Sequence, residues 1–192
     1  MHIMMGAMIE QKMTKRPKVG KGTHISEHAV VIGNVTIGDN VFIAPNATIR
    51  CDEPDSEIII GSGCNIQDNV VMHSLTGCKV LIGSGTSIGH GSIIHGPCEI
   101  GERCFIGFGS VIFKSFLGDD VMVMHRSLVE DAIVPRRSHV PSGAIVKGIE
   151  GHSFAEICPE MERFSDGVRN INIQLAMIYN QKDGPLGNET DD

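Results

Sequence analysis

An aliphatic residue recurs at every sixth position through most of this chain, and this short period constrains the fold more than any other feature of the sequence. The series consists of Ile25, Val31, Ile37, Ile43, Ile49, Ile60, Ile66, Met72, Ile82, Ile88, Ile94, Ile100, Ile106, Ile112, Leu117, Val123, Val129, Val134, Val140 and Val146. A six-residue unit is too short to bury its apolar side chain alone, so it must stack on the next unit, as in a parallel β-helix. Three such units make one triangular coil. Residues eighteen positions apart, after allowance for insertions, are therefore expected to stack in one column.

The extent of the repeat divides the chain into four segments. We predict a flexible lead-in at residues 1–23, a β-helix of about seven coils at residues 24–148, a helical segment packed on the solenoid at residues 149–181, and a disordered tail at residues 182–192. Two insertions interrupt the coils, at residues 51–58 and 74–79. Because loops clustered beside one column are where a solenoid usually places a site, these insertions indicate where to look for function.

The segment after the coils changes its period. Val168, Ile171, Leu175 and Ile178 follow helical spacing, which predicts an α-helix from about residue 166. Residues 153–156 resemble a capping box, which predicts that a first short helix begins there and is interrupted at Pro159. We expect the long helix to cover apolar surface along the solenoid.

Composition excludes several classes of function. A net charge of −7 and a pI near 5.7 argue against nucleic-acid binding and against a polybasic membrane contact. No apolar run approaches the roughly 20 residues of a membrane span, and the first residues become polar too quickly for a secretory signal. The six cysteines form no CxxC pair, so we expect reduced thiols and a cytoplasmic location.

Two histidines fall in register with one another. His73 and His95 each follow a core aliphatic residue, and three hexads plus a short insertion separate them, so they are predicted to stack on adjacent coils. Stacked strands are about 4.7–4.9 Å apart, which lets two imidazoles converge on one ion at zinc–nitrogen distances of about 2.0–2.1 Å. By the same count Arg50 lies one rung before His73. The pattern therefore predicts a metal site next to an arginine.

The third candidate ligand, His90, belongs to the preceding hexad and hence to the neighbouring face or corner of the coil. It should point away from the other two histidines, so its contribution would have to come from another subunit in a closed ring of three. Asp68 shares the column of His90 one rung earlier. If His90 meets His73 of the next subunit, Asp68 should meet Arg50 there in a specific guanidinium–carboxylate pair.

The remaining histidines have a simpler interpretation. A histidine without a partner in register is more often a surface or structural residue than a ligand, and this applies to His2, His24, His28, His139 and His152. His125 shares the column of His90, but it lies two coils away with Phe108 between them. We interpret it as structural.

These motifs resemble the γ-class carbonic anhydrases over roughly residues 24–180. The matching segments are residues 49–53 (IRCDE), 65–73 (NIQDNVVMH), 89–97 (GHGSIIHGP), 105–109 (FIGFG), 140–144 (VPSGA) and 170–176 (NINIQLA). The resemblance implies a left-handed parallel β-helix that assembles into a homotrimer. It also implies a metal-dependent lyase that hydrates carbon dioxide reversibly to bicarbonate.

In that family, the histidines that match His73, His90 and His95 bind zinc or iron at the trimer interface, so the resemblance implies one ion per interface. It also implies that Gln67 orients a metal-bound hydroxide and that Glu53 takes part in proton transfer or substrate contact.

Four further positions complete the implied site. Asn172 matches a substrate-positioning asparagine, and Arg50 with Asp68 matches an intersubunit ion pair. Asp52 and Asn65 lie in the matching segments and are candidates for the substrate or interface side of the site.

The chain departs from the most active archetype in one loop. There the loop after the first ligand histidine is long and acidic and supplies a glutamate proton shuttle, whereas here residues 74–79 hold no carboxylate. A tryptophan near that shuttle is missing as well, and both differences argue against fast turnover. Two alternatives stay open: an acyl-CoA-dependent transferase on the same solenoid, with one interfacial histidine as general base and no metal, and a non-catalytic trimeric scaffold that keeps the metal residues.

Overall fold

The computed structural model describes residues 15–182, without the side chains of residues 172, 181 and 182, and it is a parallel β-solenoid of about seven coils followed by one α-helix. The predicted fold class is thereby confirmed, and the six-residue period fits a left-handed β-helix. Every coil contributes one short strand to each of three sheets.

The three sheets run the length of the solenoid. Sheet A contains β1 (Lys18–Val19), β4 (Val35–Ile37), β7 (Glu57–Ile60), β10 (Lys79–Ile82), β13 (Cys98–Ile100), β16 (Phe116–Leu117) and β19 (Ile133–Val134). Sheet B contains β2 (His24–Ile25), β5 (Phe42–Ile43), β8 (Asn65–Ile66), β11 (Ser87–Ile88), β14 (Phe105–Ile106), β17 (Met122–Val123), β20 (Ser138–Val140) and β22 (Ala155–Glu156). Sheet C contains β3 (Val30–Gly33), β6 (Thr48–Cys51), β9 (Val71–His73), β12 (Ile93–His95), β15 (Val111–Phe113), β18 (Leu128–Glu130) and β21 (Ile145–Lys147).

The recurring aliphatic residues form the core. Ile43, Ile66, Ile88 and Ile106 stack inward from sheet B with no exposed surface, and sheets A and C add equivalent inward columns. A parallel ladder that places one residue of each coil in each column buries every unit against the next, and this stacking stabilises a chain of such short strands.

The turn between sheets B and C positions the residues discussed below. In this turn the second residue has a left-handed backbone, as in Asn46 and Asn69 with φ of 60° and Gly91 with φ of 66°. Asparagine and glycine tolerate that conformation at little cost. The residue before it therefore lies at the tip of the corner, where Asp68 and His90 are found.

Two predicted boundaries differ from the structure. β1 pairs with β4 through Lys18 and Val19, so the solenoid begins before residue 24. The predicted short helix at residues 153–156 is wrong, because Ala155 and Glu156 form β22, which pairs antiparallel with β20 at the end of sheet B. The predictions for residues 1–14 and 183–192 lie outside the described residues.

The helix α1 spans Pro159–Lys182 and starts earlier than predicted. Pro159 is its first residue, where the missing N–H costs nothing, so this proline begins the helix instead of interrupting one. Glu160 and Glu162 in the first turn are favourable at the positive end of the helix dipole.

The helix packs on sheet B, against β2, β5, β8 and β11. Two small apolar clusters hold it there: Phe42 and Ala44 with Ala176 and Leu175, and Phe105, Met122 and Ile157 with Met161 and Val168. Within residues 15–182, no helix is long and apolar enough to cross a bilayer.

Candidate metal centre

The outer face of sheet C carries the predicted histidine column. Arg50 of β6 pairs in register with His73 of β9, and His73 pairs with His95 of β12. The predicted stacking of these three residues is therefore confirmed. Each side chain points outward because its neighbour one position earlier, such as Met72 before His73 or Ile94 before His95, points into the core.

The two histidine rings are arranged as a pair of ligands would be. The Nδ1 atom of His73 lies 3.2 Å from the Nε2 atom of His95, and the ring centroids are 5.1 Å apart. Two nitrogens bound to one tetrahedral zinc ion at about 2.0–2.1 Å each are separated by about 3.3 Å. The separation of the two nitrogens therefore matches that of two ligands of one ion, and imidazole suits both zinc and iron.

Charged groups surround the opposite edge of the His73 ring. Its Nε2 atom lies 3.4 Å from Arg50 Nη2, 3.5 Å from Glu53 Oε1 and 3.7 Å from Asp52 Oδ1. Burial lowers the pKa of His73, and the positive charge of Arg50 lowers it further. A neutral imidazole is the form that binds a metal ion, so this environment favours a ligand.

The second histidine of the pair is oriented by the backbone and by an aromatic ring. His95 Nδ1 lies 3.2 Å from the carbonyl oxygen of Gly96, which leaves Nε2 facing His73. Phe113, the next residue in the same column, packs edge-on against His95 with centroids 5.3 Å apart. The same register would have placed Phe113 here from sequence, because it follows Ile112 as His95 follows Ile94.

His90 lies at the corner between sheets B and C, as predicted. Its Nδ1 atom is 2.9 Å from Asp68 Oδ2, and its backbone N–H donates to Gln67 Oε1 at 3.2 Å. A carboxylate on one ring nitrogen fixes the tautomer of a ligating histidine, and here it leaves Nε2 available. The side chain of His90 is 51% exposed, whereas that of His73 is 12% exposed.

No group of three histidine, cysteine, aspartate or glutamate side chains among residues 15–182 of one chain converges so as to hold a metal ion. Among these residues, His73 and His95 lie on one face of the solenoid and His90 lies at a different corner. That a second chain completes a three-histidine shell stays a prediction.

Below His90, the corner column continues as a stack of rings. The Phe108 ring lies 5.2 Å from His90 and 4.4 Å from His125, nearly parallel to the latter. The backbone N–H of Phe108 donates to His125 Nδ1 at 3.1 Å. Because that nitrogen is occupied and the ring is stacked, the structural interpretation of His125 fits its surroundings.

The predicted Arg50–Asp68 pair is not formed within one chain. Arg50 Nε lies 3.3 Å from Asp52 Oδ1, and Asp68 contacts His90. Asp68 lies at the corner and Arg50 on the face of sheet C, so their pairing between subunits stays a prediction.

The two asparagines of the candidate site lie in different elements, Asn65 in β8 and Asn172 in α1. Asn65 on β8 is 1% exposed, and neither atom of its side-chain amide has a hydrogen-bond partner. It faces α1, which packs on β8. Asn172 lies in α1, but its side chain is outside the described part of the structure.

Sequence reasoning missed Thr76. This residue of the second inserted loop donates its backbone N–H and its hydroxyl to Glu53 Oε2, at 2.6 and 2.7 Å. These bonds lower the pKa of Glu53. The offset of 23 residues that stacks His73 on Arg50 also relates Thr76 to Glu53, so counting could have placed the two loops side by side, but only the tertiary structure shows which atoms meet.

Comparison with known proteins identifies related chains. The sequence profile described as bacterial transferase hexapeptide (six repeats) matches residues 16–51 and 79–114. The carboxysome assembly protein CcmM of Nostoc sp. is 38% identical over 78% of this chain and 29% of its own length. The carbonic anhydrase of Methanosarcina thermophila is 30% identical over 86% of this chain and 75% of its own length. The chain thus spans less than a third of the CcmM relative.

A solved structure supports the same relationship. The hexapeptide transferase family protein from Anaplasma phagocytophilum superposes with a TM-score of 0.67 at 30% identity, over 85% of this chain and 92% of that one. That protein is named for a transferase family, so the related chains include both a carbonic anhydrase and proteins named for a different class of reaction.

Proposed function

This chain belongs to the bacterial transferase hexapeptide family, and we propose that within this family it is a carbonic anhydrase that hydrates carbon dioxide at a metal ion shared between two subunits. The observation that carries the proposal is the 3.2 Å separation of His73 Nδ1 and His95 Nε2 on adjacent coils. The 30% identity to a carbonic anhydrase that is covered over three quarters of its length supports it.

The proposed ligands are His73 and His95 of one subunit and His90 of the next, around zinc or ferrous iron. Three histidines leave a fourth position open, which is the arrangement of catalytic zinc sites. A metal ion held there would lower the pKa of a bound water to about 7, the value known for carbonic anhydrase itself.

The polar residues around the histidines have assigned roles in this proposal. Gln67 accepts a hydrogen bond from the His90 backbone, so its amide is held beside the ligand and can orient the nucleophile. Asn172 would position the substrate, and Asn65 is assigned to the same part of the site, where its amide is buried beneath α1. Glu53 Oε1 lies closest to His73 Nε2 of the carboxylate oxygens there and is the candidate to accept a proton.

Two phenylalanines favour the same chemistry. Phe108 packs below His90, and Phe113 packs below His95. If the corner of one subunit meets the face of its neighbour, both rings would lie on one side of the ion and exclude water from it. An apolar surface that excludes water suits an apolar substrate such as carbon dioxide.

The proposed assembly is a homotrimer, which is typical of hexapeptide-repeat proteins. A ring of three identical junctions brings each His90 to one His73 and His95 pair, so every subunit both gives and receives a ligand. All six cysteines are free thiols, in agreement with the further proposal that the protein works in a reducing compartment such as the cytoplasm.

Two other functions are suggested by the related proteins. An acyltransferase, suggested by the transferase relative, needs a single general base and does not call for two imidazoles at ligand spacing. A trimeric scaffold is favoured by the 38% identity to an assembly protein, and it would keep the metal while lacking turnover.

The deciding experiment is a stopped-flow assay of carbon dioxide hydration on anaerobically purified protein loaded with zinc or ferrous iron. We expect activity that is lost in His95→Ala together with the metal, and reduced in Gln67→Ala with the metal retained. Bound metal without hydration would favour the scaffold. Acyl transfer by metal-free protein would favour the transferase.

A further inference from the structure

We propose that His125 of one subunit donates a hydrogen bond to Glu130 of the next subunit, and that this contact helps to set the register of the junction at which the metal site would form. The partner is a second copy of this chain. The inference rests on the proposed function for the three-fold ring of subunits, and it gives a role to a ring of the corner stack that the proposed metal site does not use.

The corner between sheets B and C repeats once per coil. The carbonyl oxygens of Asp68, His90 and Phe108 each accept a backbone N–H from the corner of the following coil, at 2.9, 2.9 and 2.8 Å. His125 is the next tip in this series, because Arg126 after it has a left-handed backbone with φ of 57°. The corner column therefore advances by one residue per coil.

The outer face of sheet C advances in the same way. His73, His95, Phe113 and Glu130 are successive Cα partners on four adjacent strands. Strands on adjacent coils are about 4.7–4.9 Å apart, so the corner column and the face column rise by the same step. In a ring of parallel solenoids, a fit between the two columns at one level therefore fixes the fit at the levels that follow.

The proposed ligands place His125 opposite Glu130. The metal site requires His90 to lie level with the histidine pair of the next subunit. Two coils farther along, the corner residue is His125 and the face residues are Phe113 and Glu130. The same junction that would bind the metal ion thus brings an imidazole to a carboxylate.

The tautomer of His125 supplies the donor. The backbone N–H of Phe108 donates to His125 Nδ1 at 3.1 Å, so this nitrogen carries no proton and the proton of the neutral ring is on Nε2. Within residues 15–182 of one chain, the ring of His125 makes no other hydrogen bond. A polar donor that an interface buries needs an acceptor, and the partner subunit has to provide it.

Glu130 is the side chain at this level that can accept the bond. Phe113 has no acceptor atom, and Lys147 on the following coil has only donors. Lys147 Nζ lies 2.8 Å from Glu130 Oε2, and a carboxylate has acceptor positions for further bonds. Because Lys147 already holds this carboxylate on the face, the imidazole N–H meets an ionised acceptor, to which hydrogen bonds are stronger than to a neutral one.

The test is a double-mutant cycle on the full-length trimer, measured by sedimentation equilibrium over a dilution series. His125→Phe keeps a ring stacked on Phe108 and loses the N–H, and Glu130→Leu removes the acceptor. A hydrogen bond to a charged group changes an association constant by about 10-fold, and the effects at three equal junctions multiply. We expect each single variant to lower the monomer–trimer association constant by about 1,000-fold, and the double variant to lower it little further.

Two control variants separate this contact from others. Lys147→Met removes the ion pair within the chain but keeps the acceptor, so it should weaken the trimer far less than Glu130→Leu. Glu99→Leu changes an exposed glutamate on sheet A and should leave the association constant unchanged. Effects of His125→Phe and Glu130→Leu that simply add would overturn the inference and leave the proposed metal junction standing. Unmodified protein that stays monomeric when loaded with zinc would overturn both.

Discussion

His73 Nδ1 and His95 Nε2 lie 3.2 Å apart across two adjacent coils, although 21 residues separate them along the chain. One β-helix face thus supplies two of three metal ligands with the spacing that a single ion needs. The third candidate, His90, lies on another corner, so the origin of the ligands can be tested directly.

The first prediction concerns mixed trimers. His73→Ala and His90→Ala should each lose metal when made alone. A trimer assembled from both variants has one junction where an intact His73 and His95 pair meets an intact His90, so about one metal site per mixed trimer should return. Metal analysis of isolated mixed trimers checks this, and mixed trimers without metal would show that the site does not lie between subunits.

The second prediction concerns trimer stability. Arg50→Ala should leave Asp68 of the adjoining subunit without its guanidinium partner and weaken the trimer by about 3–5 kcal/mol if the pair is buried. Sedimentation equilibrium of Arg50→Ala, Asp68→Ala and the double variant measures the coupling, with Arg163→Ala on the helix as control. Arg50 and Asp68 effects that simply add would place the two residues in separate environments.

The third prediction concerns thiol reactivity. Burial raises the pKa of Cys64, Cys98 and Cys104 to about 12, so almost no thiolate is present at pH 8. Cys158 is exposed and should react first with iodoacetamide, while those three should react only after unfolding. Mass spectrometry of peptides from briefly labelled native protein gives the order, and early labelling of Cys98 would contradict the packing described.

The fourth prediction concerns acid stability. Hydrogen bonds from Arg103, at 2.7 and 3.0 Å, hold the pKa of Asp120 below its usual value. Because the pKa of Asp120 is lower in the folded than in the unfolded protein, the ionised carboxylate adds to the free energy of unfolding at pH values above the unfolded pKa of about 3.9. This contribution is lost as the pH falls through the folded pKa. Because the arginine side chain is 42% exposed, solvent screening limits the contribution to about 1 kcal/mol or less.

Urea unfolding between pH 2.5 and 6 checks this sign. Arg103→Met should flatten the rise of unfolding free energy with pH over that range, and Asp120→Asn should give nearly the same flattened curve, since either change removes the pair. A slope in Arg103→Met as steep as in the unmodified protein would mean that other carboxylates determine it.

The period of the sequence was enough to predict the solenoid and its columns. Ile49, Met72 and Ile94 point inward in one column, so the residues that follow them had to point outward in the next. A parallel ladder admits one residue per coil in each column, and the spacing in the sequence therefore puts Arg50, His73 and His95 in one column.

The six-residue repeat does not predict the strands at the two ends of the solenoid, where the repeat stops. Lys18 and Val19 join sheet A ahead of the first clear hexad, and Ala155 and Glu156 close sheet B as an antiparallel strand although their residues resemble a helix cap. At both ends the free strand edges of the last coil offer unpaired backbone groups, and the nearest chain pairs with them whatever its local pattern.

The sequence alone therefore determined the architecture and the register of the candidate ligands, because both follow from a repeat that every coil obeys. Only the tertiary structure decided which ring nitrogens face one another, which nitrogen of His90 meets Asp68, and that Thr76 donates two hydrogen bonds to Glu53. The repeat brings these residues into neighbouring coils, but it does not set the side-chain rotamers or the paths of the inserted loops, and these decide which atoms meet.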